Sequence, residues 1–273
     1  MRPSVIILTY NSELSIAETL QSVAMLTDDI HIVDSYSKDG TVEIVQSFGA
    51  QVTEHAFENY GAQRNWAIDS LPVKYSWQLH LDADERLSPE LRQEIAALNE
   101  ETEHTGFYLP RLMIFMGKPI RHGGFFPTWH MRLFQSGMGR CEARKYDQHF
   151  FLKSGTSAQL KGHMTDDLRM SLSEWTFRHN RWADAEVEEK SEKSRAGRIK
   201  GSFAGNPVQR KRYLRELYND APLFVRPFIL FFYRYFLRLG FLDGATGFIY
   251  YVLQTFWFHF LIDAKLYEKR HSR

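Results

Sequence analysis

The sequence predicts an α/β fold: a mixed, mainly parallel sheet with helices on both faces, followed by a helical, aromatic-rich C-terminal extension. Three observations carry this expectation. Short apolar, β-branched runs alternate with helical periods through the N-terminal third of the chain. Polar and acidic residues stand where those runs stop, as they do at the carboxyl edge of a parallel sheet. From about Pro222 to Ile262 the chain becomes apolar and aromatic, interrupted by Arg226, Arg234 and Arg238. The 273 residues suit one large domain, or one domain plus an extension. The predicted division is 1–200 and 201–273.

The elements follow in order. "SVIILTY" reads as a buried strand, and "NSELSIAETLQSVAML" as a helix capped by Asn11 or Ser12, with Ile16, Leu20 and Val23 on one face. "DIHIVDS" is a second strand. "KDGTVEIVQSFG" is a turn and then a helix ended by Gly49. "AQVTEHAF" is a third strand, "YGAQRNWAIDSL" a helix, and "YSWQLHLD" a fourth strand. Beyond Gly106, "GFYLPRLMIFMGKPI" and "HMRLFQSG" predict short strands, and "YDQHFFLKSGTSAQL" a hairpin. "SLSEWTFRHNRWADAEVEEKSEKSRAG" predicts a long helix, capped at Ser171 or Ser173 with Glu174 available for a capping box.

Composition excludes several classes. A net charge of +1 argues against a nucleic-acid binder. One cysteine, Cys141, excludes an intramolecular disulfide and a cysteine-based zinc cluster. The apolar N-terminal run is too short for a signal peptide, so the expected location is the cytoplasm. The C-terminal aromatic helices, flanked by Lys and Arg, suit a membrane interface. A helical hairpin packed on protein is the alternative, and a monotopic attachment is preferred to a span.

The fourth strand ends in "LDADE", three acids within four residues. Two aspartates one residue apart at a strand end can present oxygens to a hard divalent cation, which can neutralise a diphosphate leaving group. A solvated acidic turn before a helix starting at "SPE" would look the same in isolation. Thr9, Tyr10 and Asn11 follow the first strand, however, and Asp34 and Ser35 follow the second. Polar residues thus gather at three strand ends.

"VIILTYNSE", "IVDSYSKDGT", "YGAQRNWA" and "LDADE", in this order and spacing, resemble family 2 glycosyltransferases with the Rossmann-like GT-A fold. "KYDQHF", the segment after "KGHMTDD" and the C-terminal "GFLDGATGFIYYVLQTFWFHFLIDAKLYE" are similar to a branch that builds bacterial lipopolysaccharide core, capsule and other lipid-linked glycans. The resemblance implies a metal-dependent, inverting transferase using a nucleotide-diphosphate sugar, with UDP as the expected nucleotide and Mn2+ or Mg2+ as the cation. It places Thr9, Tyr10, Asn11, Asp34 and Asp39 around the nucleoside. Arg64 falls at the nucleotide end, Asp82 at the ribose or donor sugar, and Asp84 on the metal with His163. The general base is assigned to Asp147, with His149 as second candidate and Arg132 supporting the site.

The branch has Asp-Glu-His where this chain has Asp147-Gln148-His149, and glutamine cannot act as a base. The implied partners are a nucleotide-sugar donor and a lipid-linked or lipopolysaccharide-like acceptor at the inner membrane face. A degenerate binding scaffold of the same fold is the competing reading. A nucleotidyltransferase ranks behind both, because "ILTYNSE" lacks a Gly-rich phosphate loop. The aromatic loop "HGGFFPTW" is expected to be mobile at Gly123 and Gly124. His179 and Arg181 are expected on a helix face, toward either acceptor or solvent.

Overall fold

The first strand, β1 (Ser4–Thr9), is buried along its whole length, as a parallel strand covered on both faces must be. Its side chains alternate. Val5 and Ile7 join one apolar cluster, while Ile6 and Leu8 join another, following the period of two along a strand. The first cluster receives Ile16, Leu20 and Val23 from helix α1 (Ile16–Val23). After β2 (Ile30–Asp34), helix α2 (Thr41–Ser47) adds Val45. Beyond β3 (Gln51–Glu54), helix α3 (Tyr60–Ser70) covers the opposite face through Ala67. Helices therefore flank both faces, as the sequence predicts.

The computed structural model describes residues 1–142, 148–167, 169–191 and 201–271. Contacts divide the chain into two units. The first contains Met1–Leu112, Thr128–Glu142 and Gln148–Arg169. The second contains Met113–Pro127 and the described part of Met170–Arg273.

In the first unit, β4 (Trp77–Asp82) pairs parallel with β1, and β1 pairs parallel with β2, which pairs with β3. The order β3-β2-β1-β4 reverses direction between β1 and β4. That reversal opens a crevice at the carboxyl ends, where ligands bind in open α/β sheets. Short β5 (Glu85–Leu87) and helix α4 (Pro89–Ala97) follow, with the Ser88 hydroxyl accepting from the Leu91 amide as N-cap. The sheet continues through antiparallel strands: β6 (Gly106–Phe115), whose end forms a hairpin with β7 (Lys118–Ile120), and β8 (Thr128–Gln135) between β4 and β6. The sheet is mixed, with β3-β2-β1-β4 as its continuous parallel part.

The predicted hairpin over "YDQHFFLKSGTSAQL" is not formed. β9 (Gly139–Cys141) takes β10 (Phe150–Leu152) as antiparallel partner, while β11 (Ser157–Gln159) pairs parallel with β6. Tertiary partners on either side captured the two halves of an apolar run too short to hold itself together. β12 (Met164–Asp167) then pairs antiparallel with β5.

Apart from the β6–β7 hairpin end, the second unit is helical. α5 (Leu172–Ser191) starts at a capping box in which Ser171 and Glu174 satisfy each other's amides. The helices α6 (Pro207–Asp220), α7 (Arg226–Phe232), α8 (Gly244–Tyr251) and α9 (Phe258–His271) follow. Ala183 and Val187 of α5 pack against Phe258, Ile262 and Leu266 of α9. Helix α5 therefore groups with the C-terminal helices. His179, expected on a solvated or acceptor-facing surface, is buried. It stacks on Trp175, donates to the Trp175 carbonyl and meets the Gln254 amide. Burial pushes its pKa down to about 4. Arg181 is exposed.

The loop expected to be mobile is instead tightly packed at Gly123. This residue has φ of 63°, and a Cβ there would lie 2.2 Å from the Tyr251 ring. Glycine is required for close approach rather than for motion. The second unit is also tied by a buried ion pair, Arg226 to Asp263, with the Phe224 amide donating to the same carboxylate. Asp263→Ala should strand a buried guanidinium and destabilise this unit by about 3–5 kcal/mol in urea unfolding. The double change Arg226→Met/Asp263→Leu should recover most of the loss, since an apolar pair of similar volume strands no charge.

Candidate active site at the carboxyl edge of the parallel strands

Register sets the geometry. Thr9 lies beside Asp34 across β1 and β2, and Leu8 lies beside Asp82 across β1 and β4. The three polar strand ends read from the sequence therefore converge on one edge. Asp34 is fully buried and accepts from the Thr9 hydroxyl at 2.7 Å, the Ser37 amide at 2.7 Å and the Ser37 hydroxyl at 2.6 Å. Asn11, at φ 47°, donates its amide to Ser37 Oγ and accepts from the Lys38 amide. Asp39 accepts from the amides of Glu13 and Thr41 and from the Thr41 hydroxyl. Burial raises the Asp39 pKa, but these hydrogen bonds outweigh it and the net shift is downward.

Thr9, Asn11, Asp34 and Asp39 are thus wired to one another, joining the loops after β1 and β2. Tyr10 beside them is exposed. Asn11 and Ser12 do not cap α1 through their side chains. They hold the neighbouring loop instead, with the Ser12 amide donating to Thr41 Oγ1.

At the end of β4, the Asp82 carboxylate lies between two guanidiniums. Arg64, from α3, reaches one oxygen, and Arg132, from β8, donates to the other at 2.8 Å. Arg64 also donates to the Leu81 carbonyl. Burial disfavours the Asp82 charge, but Arg132 and Arg64 outweigh it and hold the carboxyl well below the usual range. Glu85 completes the cluster. One oxygen accepts from Arg132 at 2.6 Å and the other from the Asp82 amide at 3.0 Å. Burial raises the Glu85 pKa, and Arg132 offsets only part of the rise.

The sequence shows Glu85 as one acid of three without indicating its task. The signal that finds it is the buried arginine arriving from a distant strand, which no local pattern displays. Phe150 lies under both guanidiniums, 5.8 Å from the Arg64 carbon and 5.9 Å from that of Arg132. Its partner His80 is fully buried; burial first, then Arg64 and Arg132, push its pKa well below the ordinary value.

The predicted metal ligands are not brought together. Asp84 is half-buried in the turn between β4 and β5, and its carbonyl accepts from the Asp167 amide. His163 lies at the other end of the β5–β12 ribbon, where its carbonyl accepts from Ser88. Four residues of strand separate the two positions by roughly 13 Å. The residue beside Asp84 is Asp167, whose carboxylate pairs with Arg86 and Arg169.

Among the described residues, no cluster of three or more His, Cys, Asp or Glu side chains is set to hold a metal. A Mg2+-like cation in a phosphate site takes most ligands from substrate oxygens and water, with one or two carboxylates from the protein. The half-open Asp84 carboxylate fits that limited role; His163 does not. His149 is buried and stacks on His130 at 5.3 Å, and its amide donates to Glu142. Asp147 lies outside the described residues.

A family model described as glycosyl transferase family 2 matches residues 4–155. The chain belongs to glycosyl transferase family 2. The matched segment contains every strand end of the site. The chain is 35% identical over 117 residues to an uncharacterized glycosyltransferase of Rickettsia typhi. That match spans 42% of this chain and 39% of the relative. It is 22% identical over 278 residues to LpsC, a lipopolysaccharide core biosynthesis glycosyltransferase of Rhizobium meliloti, covering 97% of this chain and 92% of LpsC. The crystal structure of S. aureus TarS 1–349 matches at a TM-score of 0.48 and 15% identity, covering 100% of this chain and 92% of that one.

The Asp82 pairing has a pH signature. A carboxyl depressed in the folded state stabilises fully above its unfolded pKa of about 3.9 and loses that stabilisation as pH falls below it. Asp82→Asn should lower the urea midpoint at pH 7 and flatten the acid limb between about pH 4 and 2. An acid limb identical to that of the parent chain would contradict the pairing.

Proposed function

We propose that this glycosyltransferase is a metal-dependent, inverting enzyme that moves a sugar from a UDP-sugar to a lipid-linked saccharide or lipopolysaccharide-type acceptor at the cytoplasmic membrane face. The observation that carries the donor side is the Asp82–Asp84 turn at the reversal point of the parallel sheet. An anionic diphosphate needs countercharge there, at the carboxyl edge where ligands of such sheets bind. The similarity to LpsC over nearly the whole chain supports the acceptor class. The aromatic, basic C-terminal helices support membrane association.

In this reading the loops after β1 and β2, braced by Asp34 and Asp39, form the nucleoside wall, with exposed Tyr10 available to the base. Arg64 and Arg132 hold Asp82 rigidly in place, so that its orientation does not depend on substrate. Glu85 positions Arg132 and the Asp82 amide. A divalent cation held by Asp84 would supply charge neutralisation for the departing diphosphate.

The acceptor hydroxyl oxygen attacks the anomeric carbon on the face opposite the diphosphate. A carbon–oxygen bond forms as the bond to UDP breaks, which inverts the anomeric configuration. The hydroxyl proton passes to a carboxylate base, assigned to Asp147.

The test is UDP release and sugar transfer across a panel of nucleotide sugars, with and without Mn2+, in mild detergent. Donor binding is measured in the same samples. One donor should turn over only with metal. Asp84→Ala should abolish metal-stimulated turnover, and Asp147→Asn should lower kcat by about 10²–10⁴-fold with donor binding retained. Binding without turnover for any donor and acceptor would favour the scaffold alternative that Gln148 raises. Failure to bind any nucleotide would overturn the proposal.

A further inference from the structure

The segment Gly240–His271, 32 residues, is long and apolar enough to cross a membrane by length and composition. Its packing argues for a different use. Tyr250 and Tyr251 lie in one buried cluster and Phe258, Ile262 and Leu266 in another, so one face meets protein from end to end. Asp263 in the same run is buried against Arg226 of α7. A spanning helix would surrender these contacts and strand that ion pair in hydrocarbon.

Next to it, the outer face of α7 and its continuation is left open by the described residues. Phe228 and Phe232 of α7, and Phe236 and Leu237 of its π-helical continuation (Tyr233–Leu237), are exposed, Leu237 to 65%. The three phenylalanines recur every four residues and form one stripe. The chain then turns at Leu239, φ 60°, and Leu239 and Leu242 extend the exposed surface around the tip before α8 returns. Contiguous apolar surface of this kind is rare on a soluble monomer.

Charge names the occupant. Asp243 is the only acid between Pro222 and Ile262. Its side chain is 3% exposed, accepting from the amides of Arg121 and His122 and the Tyr251 hydroxyl, with the His122 ring at 2.7 Å. The acid is therefore spent on clamping the tip. The charges left outward around the tip are those of Arg121 and Arg238. An aromatic stripe, an aliphatic tip and a basic rim match a lipid surface bearing anionic headgroups.

We propose that the hairpin from Arg226 to Tyr251 is a monotopic insertion element that sinks its tip and phenylalanine stripe into one leaflet of an anionic bilayer. It rests on the membrane reading above for its occupant, and adds the inserting segment and the headgroup charge.

The test uses the full chain, purified in detergent and mixed with vesicles of phosphatidylethanolamine and phosphatidylglycerol, or of phosphatidylcholine alone. It should float with the anionic vesicles and more weakly with the neutral ones. Phe236→Asp/Leu237→Asp should lower binding at least ten-fold on anionic vesicles. Arg121→Glu/Arg238→Glu should remove the preference for anionic lipid. Unchanged circular dichroism and unfolding temperature exclude misfolding of these variants.

A second readout needs no destabilising change. Leu242→Cys, carrying an environment-sensitive fluorophore, should shift to the blue on vesicles, while the same label on Glu188→Cys should not. Buried Cys141, its thiol pKa pushed up to about 12 by burial, does not compete for the label. Absence of flotation, or an unshifted Leu242→Cys probe, would overturn the proposal. Quenching of the Leu242→Cys label by a membrane-impermeant quencher confined to the vesicle lumen would replace it with a span. A dimer dissolved by Phe236→Asp/Leu237→Asp, without vesicle binding, would replace it with a second copy. Metal-dependent UDP release in detergent should be unaltered in all hairpin variants. Its loss in the parent chain with flotation intact would sink the transferase reading and leave the hairpin standing.

Discussion

The Asp82 carboxylate sits at the end of the central parallel strand with a guanidinium on each oxygen. Arg64 comes from a helix on one face of the sheet and Arg132 from an antiparallel strand on the far side of β4. One anion thus joins three elements distant in sequence. A pair of buried cations could not remain there without it, because their mutual repulsion and lost hydration would dominate. Glu85 adds the second negative charge that Arg132 needs and fixes the turn through the Asp82 amide. The carboxylate knot is first a structural clamp, and its position at the sheet edge makes it available for chemistry.

The same economy appears at the neighbouring strand ends. Asp34 and Asp39 are acceptors saturated by hydroxyls and amides of their own loops. Such loops are braced before any ligand arrives, which lowers the entropy lost on binding. Asp84, in the turn after β4, stays half-buried at the same edge. In the helical unit the ordering device differs. A buried ion pair and the Asp243 clamp hold the hairpin base and tip, while aromatic packing fills one face and leaves the other bare.

Much of the first unit was legible because its signals are local. β1, β2 and β4 are apolar runs closed by polar residues, and their parallel order follows from the alternation with helices. The Ser171–Glu174 capping box was legible for the same reason. The hairpin over "YDQHFFLKSGTSAQL" was misread because each half has a better partner elsewhere, β9 for Phe150–Leu152 and β6 for Ser157–Gln159. His163 was placed on the metal from motif position alone, whereas strand register puts it opposite Ser88. Register is a property of pairing, and a one-dimensional motif does not contain it.

The sequence by itself determined the alternating α/β core, the polar strand ends, the family and an apolar, aromatic C-terminus. Hydrophobic period and turn chemistry act over a few residues and are written directly into the chain. The tertiary structure alone decided which acid meets which base. It spent Asp82 and Glu85 on Arg64 and Arg132, left Asp84 half-open, buried His149 and His179, and split the C-terminal helices into a packed and a bare face. Those outcomes depend on charges and surfaces brought together across the fold, where burial strengthens pairing and makes an unpaired group costly.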